Sequence, residues 1–238
     1  MPAASLEIRG LSAGYGPTVV LEDLSFSVPA GSRLSILGRN GMGKTTLLAS
    51  LMGMTRRYGG EIRVDGSDLA AFKSSERAMN GIGLVPQTRD IFRSLTVEEN
   101  LLVGIKNRPR SVIEEAYDMF PRLKERRRNL GWQLSGGEQQ MLSTARTILG
   151  RPSVLLLDEP LEGLAPVICD ELMAAFSRLA ASGEMTILLV EQRLESALDF
   201  ADSVMILERG RIVWKGTSEA LRSDHELVER YIGVGSLH

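Results

Sequence analysis

Thiols are almost absent from this 238-residue chain: Cys169 is its one cysteine. No internal disulfide can form, which fits a reducing compartment. Excess charge of either sign is also missing. Twenty-eight Lys and Arg stand against 30 Asp and Glu, a formal net charge of -2, so no global basic field points to nucleic acid as a partner. The first ten residues, MPAASLEIRG, lack the apolar centre of a signal peptide. Apolar runs such as VLLLD and TILLV are far too short to span a bilayer. Repeats, long linkers and low-complexity tracts are not found. What remains is the expectation of a soluble, cytoplasmic protein, one domain or one domain with an insertion. With 43% hydrophobic and 24% charged residues, it can bury a substantial core.

The N-terminal part is rich in candidate strands. SLEIRGL, TVVLEDLSFSV and SRLSILG are separated by turn residues such as Gly14, Gly16, Pro17, Pro29 and Gly31. TTLLASLMGM then reads as a short helix, and GEIRVDG and GIGLVPQ as further strands. From Arg89 to Gly150 the period turns helical in TVEENLLVGI, SVIEEAYDMFPRL and the stretch ending at Gly150. Apolar strands return in SVLLLDEP, MTILLVEQ and SVMILERGRIVWKG, the last a hairpin about Arg209-Gly210. Short apolar strands alternating with helices imply a largely parallel sheet covered on both faces. The expected fold is an α/β core, residues 1–88 and 151–238, interrupted by a helical insert at 89–150.

Three stretches carry chemistry. In LGRNGMGKTT, Gly38 to Thr45 match G-x-x-x-x-G-K-[ST] between a predicted strand and a predicted helix, the setting of a phosphate-binding loop. Its backbone amides, through Gly38, Arg39, Asn40, Gly41, Met42, Gly43 and on to Thr46, can wrap phosphate oxygens at a helix N-terminus. Lys44 would reach the β- and γ-phosphates, and Thr45 would offer its hydroxyl to Mg²⁺. In SVLLLDEP, Asp158 at the mouth of a buried strand can hold Mg²⁺ through its water shell. Glu159 is placed to orient water for in-line attack. The plainer alternative is a solvated acidic turn. In WQLSGGEQQMLSTARTILG, Ser135 with Glu138 three residues on reads as a capping box, which leaves Gly136-Gly137 unexplained. A hydroxyl and free amides at a helix start also form an anion site. One nucleotide needs one cradle, and a second is economical if it covers the γ-phosphate held by another protomer.

With Leu134 to Glu138 (LSGGE) closely upstream of LLLDEP, the chain resembles the ATP-binding-cassette (ABC) ATPases over nearly its whole length. The resemblance implies a P-loop NTPase core, with an N-terminal antiparallel β region and an inserted helical subdomain. It also implies ATP and Mg²⁺ as ligands. Two cassettes would pair head to tail, each nucleotide lying between one protomer's phosphate loop and the other's Leu134, Ser135, Gly136, Gly137 and Glu138. Tyr15, in GYG, matches the aromatic that stacks on adenine; a plain core role is the alternative. Gln87, in LVPQ, matches the glutamine that senses Mg²⁺ and the attacking water; a polar strand end is the alternative. Two positions depart from the common pattern. Gln192 stands where a switch histidine is usual, and Ala165 in LEGLA stands at an aspartate position. A glutamine can donate a hydrogen bond but carries no charge, so slower hydrolysis is expected unless Gln192 is only a helix-start residue.

DEPLEGLAP, LLVEQ and TVEENLLVG are similar to the cassettes of branched-chain amino-acid, urea and amide importers. That likeness implies an energy-coupling ATPase paired with a second cassette in a homo- or heterodimer. Transmembrane permease subunits would be direct partners and an extracytoplasmic solute-binding protein an indirect one, with no nucleic acid involved. The subunit would sit on the inner face of the membrane. Urea or short amides are alternative solutes. A catalytically weak ATP-binding switch and a soluble non-transport ABC ATPase are alternative roles. The permease groove would draw on Ile91, Phe92 and Leu95, unless these are core. RLKERRRN (122–129) reads as a solvated helix face rather than a lipid-headgroup site. Tyr231 and Ile232 are expected to pack on the core.

Overall fold

The computed structural model describes residues 2–233. In chain order it begins β1 (Leu6–Tyr15), β2 (Thr18–Val28), β3 (Arg33–Leu37), α1 (Lys44–Leu51), β4 (Arg56–Val64), β5 (Ser67–Asp68), α2 (Ser74–Met79) and β6 (Ile82–Val85). Four helices follow: α3 (Val97–Gly104), α4 (Ile113–Met119), α5 (Pro121–Glu125) and α6 (Gly136–Leu149). The rest is β7 (Val154–Asp158), α7 (Pro166–Ala181), β8 (Thr186–Val190), α8 (Leu194–Phe200), β9 (Ser203–Glu208), β10 (Arg211–Thr217), α9 (Ser218–Arg222) and α10 (His225–Tyr231).

Two sheets form. One is antiparallel, in the order β2-β1-β4-β5; the other runs β10-β9-β3-β8-β7-β6, with only β10 antiparallel. Side chains on a strand alternate faces, and here both faces are covered. Leu155, Leu157, Ile187 and Leu189 join the core shared with α3, α4, α6 and α7. Val154, Leu156, Leu188 and Val190 join the core beneath the antiparallel sheet and α1. This two-sided burial is why VLLLD and TILLV are continuous apolar runs. A third core gathers α8, α9 and α10, and Tyr231 and Ile232 pack against it.

Between β6 and β7 every element among the described residues is helical; one isolated bridge, Thr96 to Leu130, is the only β pairing there. The helical period of SVIEEAYDMFPRL is interrupted. Phe120 leaves helical geometry (φ -134, ψ 86) because Pro121 disfavours it, and Pro121 starts α5 at the position proline tolerates. In RLKERRRN only Leu123 is buried in the core, and the charged residues are exposed, three of them ion-paired: Arg122 with Glu171, Lys124 with Glu114, and Arg126 with Glu138. No helix among the described residues is long and apolar enough to cross a membrane.

Candidate nucleotide site

The parallel strands β3, β7 and β8 end side by side, and the site is built from the loops that leave them. After β3 the chain turns through Gly38 (φ 148), Gly41 (φ 78) and Gly43 (φ 103) into α1. A Cβ on Gly38 would lie 2.3 Å from the Leu207 carbonyl oxygen, so only glycine lets the loop seat against β9. The β9–β10 turn holds the loop from behind, with Gly210 N–H donating to the Met42 carbonyl at 3.0 Å. Lys44 opens α1 and is buried; its Nζ donates to the carbonyls of Gly38 (2.8 Å) and Arg39 (3.1 Å). A cavity of about 270 Å³ opens over this loop, lined by Asn40, Gly41, Gly43, Lys44, Thr45 and Thr46 together with Gln87 and Glu159.

The end of β7 supplies two carboxylates with different surroundings. Asp158 Oδ1 accepts the Thr45 hydroxyl at 3.1 Å. Burial pushes its pKa up to about 6; the Thr45 hydrogen bond opposes the shift and the neighbouring Glu159 charge adds to it. Glu159 has a left-handed backbone (φ 45), a conformation that costs a non-glycine residue about 1–3 kcal/mol and clusters at working sites. Its two oxygens are divided. Oε1 faces Lys44 Nζ at 3.3 Å, while Oε2 accepts Gln192 Nε2 at 2.6 Å and Gln87 Nε2 at 3.3 Å. Gln192 is therefore a member of this cluster, lying outside α8, and not merely a helix-start residue. Gln87 Nε2 also donates to Glu162. Carboxylates only accept, so the amide must turn its nitrogen to them and leave Oε1 free.

Oxygen donors suit Mg²⁺, which keeps most of its waters and takes few protein ligands. Thr45 Oγ1 and Asp158 Oδ1 already meet, and Gln87 lines the cavity beside Thr45 with its amide oxygen unused, so the three residues fit that ion. Tyr15 closes β1 and is 49% exposed, which removes the core alternative; it does not line the cavity.

None of Leu134 to Glu138 lines the cavity either. Ser135 caps α6: its hydroxyl accepts Glu138 N–H at 3.3 Å, and Glu138 accepts Ser135 N–H at 2.8 Å. The glycine pair that the capping box left unexplained opens the helix itself: Gly136 and Gly137 are its first residues. A Cβ on Gly137 would meet Ile168 of α7 at 3.0 Å, so close packing supplies part of its reason. Leu134 is buried in the core. Within one chain the α6 cap and the nucleotide loop are therefore separate features.

The ABC transporter family model matches residues 21–162, the stretch that holds the phosphate loop, the α6 cap and both carboxylates. The chain belongs to the ABC transporter family. It is 39% identical to the high-affinity branched-chain amino acid transport ATP-binding protein BraG of Pseudomonas aeruginosa, over 96% of this chain and 99% of that one. It is 32% identical to the lipopolysaccharide export system ATP-binding protein LptB of Haemophilus influenzae, over 96% and 97%. A solved ATP-binding subunit of an ABC transporter superposes with a TM-score of 0.81 at 30% identity, over 91% of each chain. The protein is thus an ATP-hydrolysing subunit of a transporter, of the kind that works as a dimer with transmembrane permease partners.

A second surface of this ABC subunit departs from expectation. A groove of about 390 Å³ lies between the α2–β6 region and the helical stretch, lined by Met52, Met54, Phe92, Val103, Lys106 and Arg146 among others. Of Ile91, Phe92 and Leu95, only Phe92 lines it; Ile91 packs on the core. Met54 and Val103 were not legible as groove residues, because exposed apolar side chains on different elements share no sequence period.

Proposed function

We propose that this subunit powers uptake of branched-chain or other hydrophobic amino acids, with each ATP shared between two cassettes. The observation that supports the solute class most is the likeness to BraG over nearly all of both chains, closer than that to LptB. In this reading the loop from Gly38 to Thr46 cradles the phosphates of ATP. Tyr15 meets the adenine, and Ser135, Gly136 and Gly137 of the other cassette cover the γ-phosphate. Mg²⁺, held by Thr45, Asp158 and Gln87, would supply charge neutralisation at the phosphates. Lys44 leaves Glu159 for the β- and γ-phosphates, and the freed Glu159 carboxylate orients the attacking water. Gln192 and Gln87 hold that carboxylate by their amide N–H groups. Closure of the pair on ATP, and reopening after phosphate loss, would be passed to the permease through the apolar groove.

The test is reconstitution with permease subunits and a solute-binding protein of a branched-chain amino-acid importer, measuring ATP-dependent uptake with a Lys44→Ala cassette as blank. Leucine uptake above the blank is the expected result; uptake of urea or an amide instead would replace the solute class. Copurification with a lipopolysaccharide-handling permease would move the subunit to export.

Two further outcomes are expected. Gln192→Ala removes a hydrogen bond to a charged group, about 1.5 kcal/mol, so kcat should fall roughly tenfold with little change in KM. Steady-state phosphate release reads both. Phe92→Asp places a charge in the apolar groove. It should abolish coupled uptake while leaving the basal ATPase rate of the isolated subunit within about twofold, since surface changes away from a site are near neutral.

A further inference from the structure

Glu191 ends the apolar run of β8 and immediately precedes Gln192. It is 3% exposed, does not line the nucleotide cavity, and has no part in the chemistry described above. A carboxylate this deep costs several kcal/mol unless its oxygens are satisfied. Here they are satisfied by backbone. Oε1 accepts Leu161 N–H at 3.1 Å, two residues beyond Glu159 on the loop from β7. Oε2 accepts Gln192 N–H at 3.2 Å. Burial raises the pKa of Glu191, and these backbone bonds pull it back toward the charged form. The five residues before it on β8 are all buried, so an apolar residue would serve packing there as well. What an apolar residue cannot do is accept hydrogen bonds from two loops at once.

We propose that Glu191 is a positioning residue for ATP hydrolysis, its carboxylate clasping the loop that carries Glu159 to the loop that carries Gln192. Neighbouring strands β7 and β8 already end in register, with Glu159 N–H donating to the Val190 carbonyl at 2.9 Å. Beyond that point the strand pairing ends. The Glu191 carboxylate continues the connection for one more step, where the 2.6 Å contact between Gln192 Nε2 and Glu159 Oε2 must be kept. Without the clasp each loop keeps its own fold, but the distance between the two side chains is no longer set. The inference rests on the reading of Gln192 as a working member of the site.

The test is Glu191→Gln, which keeps the volume and one acceptor but turns an –NH₂ toward backbone donors. The expected result is a roughly tenfold fall in kcat with the KM for ATP within about twofold. In a Gln192→Ala background the same change should cost less than about twofold, because the clasp acts through Gln192. Unchanged kcat in Glu191→Gln, a parallel loss of ATP affinity, or losses that multiply in the double variant would each overturn the proposal. Full kcat in Gln192→Ala alone would refute the Gln192 reading, and the clasp would fall with it. If Glu191→Gln does not fold, or Gln192→Ala sits at the Lys44→Ala blank, Glu191→Asp with amide exchange decides. Faster exchange at both Leu161 and Gln192, together with lower kcat, supports the clasp; unchanged exchange at either amide overturns it.

Discussion

Glu159→Gln is expected to lower kcat by about 10²–10⁴, the range a positioned general base contributes, without weakening ATP binding. The substitution is isosteric, so the left-handed backbone and the loop need not move. What changes is charge and acceptor count. The carboxylate now takes Lys44 on one oxygen and two glutamine amides on the other. An amide at 159 can keep one of these sets through its oxygen, and Gln87 or Gln192 can flip to meet the new –NH₂ with its own oxygen. The cluster survives, but no group remains that can draw a proton from water. ATP binding should hold or improve, because the phosphates no longer compete with a buried carboxylate for Lys44. The nucleotide then stays intact between two cassettes, and the dimer should accumulate with ATP and not with ADP. Phosphate release and size-exclusion chromatography in ATP read the two effects separately. A variant that keeps its rate would remove Glu159 from the chemistry. One that loses its rate but never dimerises would remove the α6 cap from the partner's site.

The local parts of this site were legible because each is a short string whose spacing has one physical use. Gly38 to Thr45 between a strand and a helix, Asp158 and Glu159 after a buried strand, and Ser135 with Glu138 all appear in the fold where the strings required. Relations between strings were less accessible. Gln192 and Glu159 are 33 positions apart, and their contact exists only because β7 and β8 are parallel neighbours. Glu162 and Glu191 gave no signal at all: one lies in a polar turn, and the other looks like the polar end of an apolar strand. The groove was half-read for a similar reason, since Met54 and Val103 meet Phe92 only across the gap between the sheets and the helical stretch. The glycine pair at 136–137 has no local explanation in the sequence, since glycine disfavours helices. Contact with Ile168 on α7, far along the chain, outweighs that preference.

Asp158→Asn should abolish turnover and yet stabilise the nucleotide-free chain increasingly as pH rises from about 4 to about 6. The carboxylate is 4% exposed, and burial holds its pKa at about 6 in the folded state, against about 3.9 in an unfolded chain. Between those values the folded state keeps a proton that the unfolded state has lost. Stability from this group is therefore complete below about pH 4 and drains away as pH rises through about 6. At 1.36 kcal/mol per unit, the loss at pH 7.5 is about 2–3 kcal/mol. Asparagine cannot ionise, fills the same volume, and can still accept the Thr45 hydroxyl through its amide oxygen. Urea unfolding without nucleotide or Mg²⁺ should therefore give a variant more stable than the parent at pH 7.5, with an advantage roughly a third as large at pH 4.5. Equal stability at both pH values would mean that the Asp158 carboxylate is not strained by burial. Activity should move the opposite way, down by at least about 100-fold, because the neutral amide offers Mg²⁺ a far weaker ligand than a carboxylate. Asp158 is then a site residue whose charge works against the empty fold, the trade expected where function needs a buried anion.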